Sequence, residues 1–128
     1  MLLVAPQAKY HFGDDEAKLP EYAWFAKNSK QTTHPVRELK PLIVDGERIY
    51  DLYGNVSEWV EDWHGDYPPS KQKDYKGPDT GYGHAIRGGC WNSFPGTCRS
   101  SYRYPWRPGY RDHSVGFRVV RRRLKSSP

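Results

Sequence analysis

The apolar residues of this chain are never laid out in a sustained period, and that constrains its fold more than any other feature. Neither the i, i+3, i+4 stripe of an amphipathic helix nor the alternation of a half-buried strand persists for long before Gly, Pro, Asn or Asp interrupts it. What apolar content there is leans on rings: the chain is 36% hydrophobic and 15% aromatic. Such an inventory favours a loop-rich domain with broad aromatic surfaces over a helical bundle. At 128 residues there is enough chain for one core and too little for two ordinary domains.

Along the chain, residues 1–40 carry Gly13-Asp14-Asp15, Pro20 and Thr32-Thr33-His34-Pro35 around the aromatic cluster Tyr22, Trp24, Phe25, which predicts loops with short helical turns. Leu42-Ile43-Val44, Asp45-Gly46 and Ile49-Tyr50 read as a strand pair about a hairpin turn. Two periods fit the segment from Gly54 to Trp63. Val56, Trp59, Val60 and Trp63 share a helical face behind the capping-box pair Asn55 and Glu58, yet Ser57, Trp59, Glu61 and Trp63 alternate as a strand would. From Gly65 to Gly83, Pro, Gly, Lys and Asp mark an exposed loop. Ala85-Ile86-Arg87 predicts a strand ending at the glycine pair Gly88-Gly89, Arg99 to Tyr104 another, and Val115 to Arg122 the best strand in the chain.

The formal net charge is +5, but Arg118, Arg121, Arg122, Arg123 and Lys125 alone carry five positive charges. The remainder is close to neutral, so the basic end reads as a solvated tail, and nucleic acid is not the expected partner. No apolar run approaches the roughly 18 residues of a membrane span, and Met1 to Pro6 is too short for a signal-peptide core, so no membrane partner is expected and no location is implied. The two cysteines, Cys90 and Cys98, are too few for a disulfide framework. Five histidines, His11, His34, His64, His84 and His113, are scattered without metal-type spacing, and no nucleophilic triad or phosphate-binding glycine motif is present.

A set of ordered landmarks runs through the chain: Tyr22-Ala23-Trp24-Phe25, Thr33-His34-Pro35-Val36, Lys40-Pro41, Tyr50-Asp51-Leu52, Gly54-Asn55-Val56 with Glu58-Trp59-Val60 and Asp62-Trp63, Arg87-Gly88-Gly89 with Trp91, Arg99-Ser100 with Arg103, and Gly116-Phe117-Arg118-Val119. Each is weak alone; in this order they resemble the formylglycine-generating-enzyme (sulfatase-modifying factor) family. The resemblance covers about Tyr10 to Arg123. It divides the chain into a lead at 1–9, one domain at 10–123 and a basic, polar tail at 124–128. It implies an α+β, C-type-lectin-like fold of the formylglycine-generating-enzyme type, loop-rich with short antiparallel strands. In that fold Gly54 to Trp63 is extended. Members of the family usually carry a longer N-terminal portion, so the chain reads as a minimal version or a fragment.

The resemblance also frames the chemistry. Catalytic members bind copper with two cysteines five positions apart, a spacing at which soft thiolates suit Cu(I). Cys90 and Cys98 are eight apart, so the pair is not reproduced and copper chemistry is not expected. The cysteines read instead as buried apolar groups or as a local disulfide. A formylglycine-generating-type oxidase acting on a peptide cysteine, with Cys90 and Cys98 as its metal pair, is the rival reading. Calcium is the metal the resemblance favours, through the Asp51 side chain, the Gly54 and Val56 carbonyls and the Glu58 side chain, all hard oxygen donors. The alternative is that Asp51 and Glu58 only hydrogen-bond their turn.

Between Gly88 and Val120, framework-like positions alternate with variable-looking ones, and the stretch contains no Lys, Glu, Gln or Met. This is similar to the variable region of proteins diversified by retroelements, in which adenines of Asn-type codons are randomised, an exchange that reaches Asn, Ser, Thr, Tyr, Asp, His, Phe or Gly but none of those four, nor Trp. Trp106 is then framework or a contradiction. The expected ligand-binding residues are Asn92, Ser93, Phe94, Thr97, Tyr102, Tyr104, Trp106, Tyr110, Asp112, His113 and Ser114, facing a protein or glycan ligand. Tyr and Trp give stiff contact area, while Ser and Asn adapt their hydrogen bonds. Trp91 and Phe117 are expected in the core, with Trp59 and Trp63 structural.

Overall fold

The structure is a computed structural model that describes residues 8–66, 68 and 76–121. Asp15 starts the first element by accepting the Ala17 N–H at 3.0 Å, which caps a 3-10 helix at Glu16–Glu21. Its Leu19 is fully buried, and the chain then enters β1 (Ala23–Trp24). The hairpin read from the sequence is present as β2 (Leu42–Val44) and β3 (Glu47–Ile49). Asp45 and Gly46 both take positive φ, 50° and 81°, as a two-residue turn matched to strand twist requires.

β4 (Tyr53–Gly54) lies parallel to β1, pairing Ala23 with Tyr53 and Trp24 with Gly54. The ambiguous segment that follows is extended: β5 (Ser57–Trp63) sits inside a four-stranded sheet ordered β7-β6-β5-β8, with β6 at His84–Arg87, β7 at Tyr104–Trp106 and β8 at Val115–Gly116. No helix starts at Asn55 because Gly54 and Asn55 both hold positive φ, and because the Asn55 side chain is engaged elsewhere. Its Oδ1 accepts the His34 N–H at 3.0 Å while its Nδ2 donates to the His34 carbonyl at 3.1 Å. Strands are short, as expected, but β1 with β4 and β5 with β8 pair parallel rather than antiparallel.

The buried core gathers Tyr10, Leu19, Ala23, Phe25, Tyr53 and Cys98, with Phe12, Tyr22 and Leu52 packed against it. Its rings are in contact: Tyr10 stacks on Phe12, Phe12 stacks on Tyr22, and Tyr53 meets Tyr10 edge-on. Fully burying a ring such as Phe25 contributes about 2–3 kcal/mol. The Tyr10 hydroxyl is satisfied by the Pro95 carbonyl at 2.8 Å, tying the start of the described chain to the single helical turn α1 (Pro95–Cys98).

Three expectations fail, each for a local reason. Arg99 to Tyr104 is not a strand, because Tyr102 folds back to donate to the Arg99 carbonyl and only Tyr104 joins β7. In the described part of the expected Val115 to Arg122 strand, which ends at Arg121, only Val115 and Gly116 pair, and Phe117, Val119 and Val120 stand 75%, 85% and 79% exposed. Beyond Gly116 the Arg118 guanidinium turns back onto Glu58 and the Tyr50 and Asp51 carbonyls, while β8 is a sheet edge with no further described strand to pair. Phe117 is therefore not a core residue. Trp91 is half-buried and contributes through its backbone. Trp59 and Trp63 are half-buried on β5, Trp63 stacked on His84 at 4.0 Å. Of the Gly65 to Gly83 loop, residues 67 and 69–75 lie outside the described residues, as do most of the lead and the tail.

Asn55→Ala strips both hydrogen bonds from the His34 backbone and is expected to lower stability by about 2 kcal/mol or more, read by urea denaturation, with Asn55→Asp also destabilising because it sets a buried carboxylate oxygen against the His34 carbonyl. An unchanged midpoint in Asn55→Ala would show that the clamp is dispensable.

Candidate functional site

β7 sets the geometry of the site. Its register against β6 places Tyr104 opposite Ile86, Pro105 opposite Ala85 and Trp106 opposite His84, so Tyr104 and Trp106 rise from the same face of the sheet. Gly83 permits that approach, since a Cβ there would lie 2.4 Å from the Trp106 carbonyl oxygen. The two rings are 5.5 Å apart, and Trp106 is stacked face to face on Tyr110 at 3.9 Å with 2° between their planes. Tyr110 is fixed in turn: its hydroxyl donates to Asp112 Oδ2 at 3.0 Å, while Asp112 Oδ1 accepts the Ser114 hydroxyl at 2.7 Å and the Ser114 N–H at 2.9 Å. The Ser114 hydroxyl first, then its N–H and the Tyr110 hydroxyl, hold the Asp112 carboxyl below its ordinary value. The same bond to Asp112 pushes the Tyr110 phenol up.

These rings wall an open cleft of about 180 Å³. Seven of the eleven expected binding residues line it: Ser93, Thr97, Tyr102, Tyr104, Trp106, Tyr110 and Ser114. Tyr104 is 46% exposed, and Tyr102 and Tyr110 are half-buried, so the ring faces are accessible. The floor is supplied by Ser57, Ile86, Arg87, Gly89, Cys90 and Val115, of which the sequence marked only Cys90, and only as half of the rival metal pair. The signal that could have found them is the glycine pair: Gly88 and Gly89 at φ 93° and 71° end β6 and turn Cys90 into the space the rings enclose. Phe94 does not face this cleft. It is 75% exposed over a second hollow with Phe25, Ala26, Lys27 and Pro95. Asn92 is exposed and accepts the Cys90 thiol at 2.8 Å. His113 is exposed beside Asp112, with Nδ1 3.3 Å from the carboxylate, and Asp112 braces the wall rather than lining it.

The two cysteines play different parts. Cys98 is fully buried with Gly89 over its sulfur, where a Cβ would come within 2.7 Å. Burial, with the neighbouring Cys90 thiol adding to it, pushes its pKa up to about 12, so it stays a thiol at neutral pH. Cys90 is 8% exposed and both sulfurs are free. The residue five positions before Cys98 is Ser93, whose hydroxyl accepts the Cys90 N–H at 2.9 Å. Cys98 is thus not in the thiolate form that a soft metal ion selects.

The four expected calcium donors do not fit a cation. Both Glu58 carboxylate oxygens accept from Arg118 at 2.7 Å, and the same guanidinium donates to the Tyr50 and Asp51 carbonyls at 3.0 and 2.8 Å. A positive group thus already holds the carboxylate that would bind the ion. Asp51 gives Oδ2 to the Arg37 N–H at 2.9 Å, leaving only its buried Oδ1 unpaired, while Gly54 and Val56 offer carbonyls alone. Among the described residues no cluster of three or more His, Cys, Asp or Glu side chains could hold a metal. Nor, among them, is any helix long and apolar enough to cross a membrane.

Known proteins place this geometry. Residues 4–123 match the sulfatase-modifying factor enzyme 1-like domain. A formylglycine-generating enzyme of Streptomyces coelicolor is 32% identical over 100 residues, 74% of this chain and 31% of that protein. The serine/threonine-protein kinase pkn1 of Chlamydia caviae is 39% identical over 77 residues, 57% of this chain and 12% of the kinase. The solved structure of Treponema denticola variable protein 1 superposes with a TM-score of 0.77 at 37% identity, over 86% of this chain and 39% of that one. The chain spans well under two thirds of each. The lectin-like fold implied by the ordered landmarks is the fold these matches carry.

Because Arg118 holds Glu58, adding millimolar Ca²⁺ is expected to leave the thermal midpoint where it was, while an upward shift would reinstate the ion. Asp112 gives a pH signature. Its folded pKa lies below the ordinary 3.8, so its contribution is complete above that value and is lost as pH falls through the folded one. Trp106 emission, compared with that of Asp112→Asn, should stay level from neutral pH down to about 4 and change only below it. A transition centred well above that range would mean Asp112 is not the brace.

Proposed function

We propose that this chain, which belongs to the sulfatase-modifying factor enzyme 1-like domain family, is a non-catalytic ligand-binding module whose contact surface is carried by residues 92–114 on a stiff lectin-like frame. The observation that carries the proposal is the convergence of seven residues, scattered from Ser93 to Ser114, on one open aromatic cleft. Tyr and Trp supply rigid area there, and Ser93, Thr97 and Ser114 supply short polar groups at its edge. The ligand is a protein or glycan. Two partners of very different shape can be met by changing side chains alone, since none of the cleft residues between β7 and β8 contributes to the buried core.

The likeness to a variable protein supports a retroelement-diversified origin for this surface. Trp106, the residue that adenine exchange in an Asn-type codon cannot produce, pairs with His84 on β7 and stacks on Tyr110, which supports reading it as frame. The oxidase alternative draws on the formylglycine-generating-enzyme relative but has little support at the thiols: Cys98 is a buried thiol raised to about 12, and Cys90 is hydrogen-bonded to Asn92. No reaction step is assigned to them.

Two measurements test the proposal. Replacing Asn92, Tyr104 and His113 together with Ser should change folding stability by about 1 kcal/mol or less, as exposed sites do, whereas a loss of several kcal/mol would make the surface structural. In the DNA flanking the coding sequence, a near-identical repeat differing from the codons for 92–114 only at adenines, beside a reverse transcriptase, is expected. Tight Cu(I) binding by Cys90 and Cys98 would favour the oxidase instead.

A further inference from the structure

The proposed contact surface has a charge imbalance that narrows its partner. Between Gly88 and Val120 there are five arginines, Arg99, Arg103, Arg107, Arg111 and Arg118, against one acid, Asp112. Arg118 is paired with Glu58, and Arg103 donates to the Gly65 carbonyl. Asp112 has both oxygens taken by Tyr110 and Ser114. That leaves Arg99, Arg107 and Arg111, all exposed, none in an ion pair with a carboxylate among the described residues.

None of the three lines the cleft itself; each neighbours a residue that does. The Arg99 guanidinium lies over the Tyr102 ring at 5.3 Å, and Arg107 and Arg111 directly follow Trp106 and Tyr110 in the chain. Arg107 is held over the Tyr82 ring at 5.3 Å, with its Nε donating to the Tyr82 hydroxyl at 3.1 Å. Guanidiniums parked on rings lose little freedom when they bind, and their planar fork matches a carboxylate. A neutral partner covering this cleft would strip water from three unpaired cations, a penalty that an anionic partner removes. At about 180 Å³ the cleft accepts a side chain rather than a whole small molecule. Nucleic acid fits less well: Trp106 and Tyr110 already use a face of each ring on one another, and Asp112 places an anion behind them.

We infer that the cleft is the docking site for an acidic protein segment, inserting one side chain between the rings while its Asp or Glu carboxylates engage Arg99, Arg107 and Arg111. This rests on the binding reading above, and the test separates the two. The full chain would be panned against a displayed library of random 12-residue peptides, with selected peptides re-measured on variants. Enrichment of Asp and Glu is expected, with affinity reduced about tenfold for each charge-assisted contact removed in Arg99→Gln, Arg107→Gln and Arg111→Gln, and unchanged in the control Arg121→Gln. Circular dichroism would establish that each variant is folded. Peptides that bind through Tyr104 and Trp106 without acidic enrichment, or that ignore the arginine variants, overturn this inference and leave the binding module standing. Binding at the cleft by a single-stranded oligonucleotide in preference to acidic peptides also overturns it. If no selected peptide depends on Tyr104 or Trp106, both readings fall.

Discussion

Everything in this small domain hangs on the backbone at Gly54 and Asn55. Gly54 lies so close to β1 that a Cβ would come within 2.2 Å of the Trp24 carbonyl oxygen, and its N–H donates to the Gly88 carbonyl at 2.7 Å. Asn55 donates from its backbone to Trp24, accepts on its carbonyl from the Trp91 N–H, and clamps the His34 backbone with its side chain. Ser29 closes the circuit, with its hydroxyl on the Trp91 carbonyl at 2.6 Å and its own carbonyl on the His34 ring. Two residues therefore fasten three other segments, around Trp24, around His34 and from Gly88 to Trp91. The fold manages with little regular structure because buried polar groups that would otherwise be orphaned are satisfied here.

That junction also explains how the candidate surface is held without being rigidly specified. Trp91 is anchored at its N–H and its carbonyl, and α1 is pinned from below by Cys98 and by the Tyr10 hydroxyl. Downstream, β7 and β8 are fixed by backbone ladders to β6 and β5. The side chains between these anchor points bear almost none of the core, so their identities are free to answer to a ligand.

What the sequence revealed follows the range of the interaction involved. The Asp45-Gly46 turn was legible because a two-residue hairpin with both φ values positive is a local requirement. The Gly54 to Trp63 segment was legible as extended only through the family resemblance and not from its periods, since its choice between helix and strand is made by His34 and Trp24, both more than twenty residues from Asn55. Phe117, Val119 and Val120 look like strand core by composition, and only the edge position of β8 leaves them outside. The aromatic surface was legible as an excess of rings over what thin strands bury. The floor was not, because Cys90, Ile86 and Ser57 reach it from three different places in the chain.

The split between the two cysteines ties chemistry to architecture. A redox or metal site needs thiols that ionise and that face a common opening. Cys98 lies beneath Gly89, where burial opposes its charge, and serves as a packing group that brings α1 onto the core. Cys90 faces the cleft but bonds to Asn92 and approaches Ser93. Past the Gly88-Gly89 turn the two sulfurs meet different surroundings, Cys90 at the base of the cleft and Cys98 packed under Gly89. Stiff rings and short hydroxyls line the cleft, with exposed arginines flanking it, and these are groups suited to holding a partner.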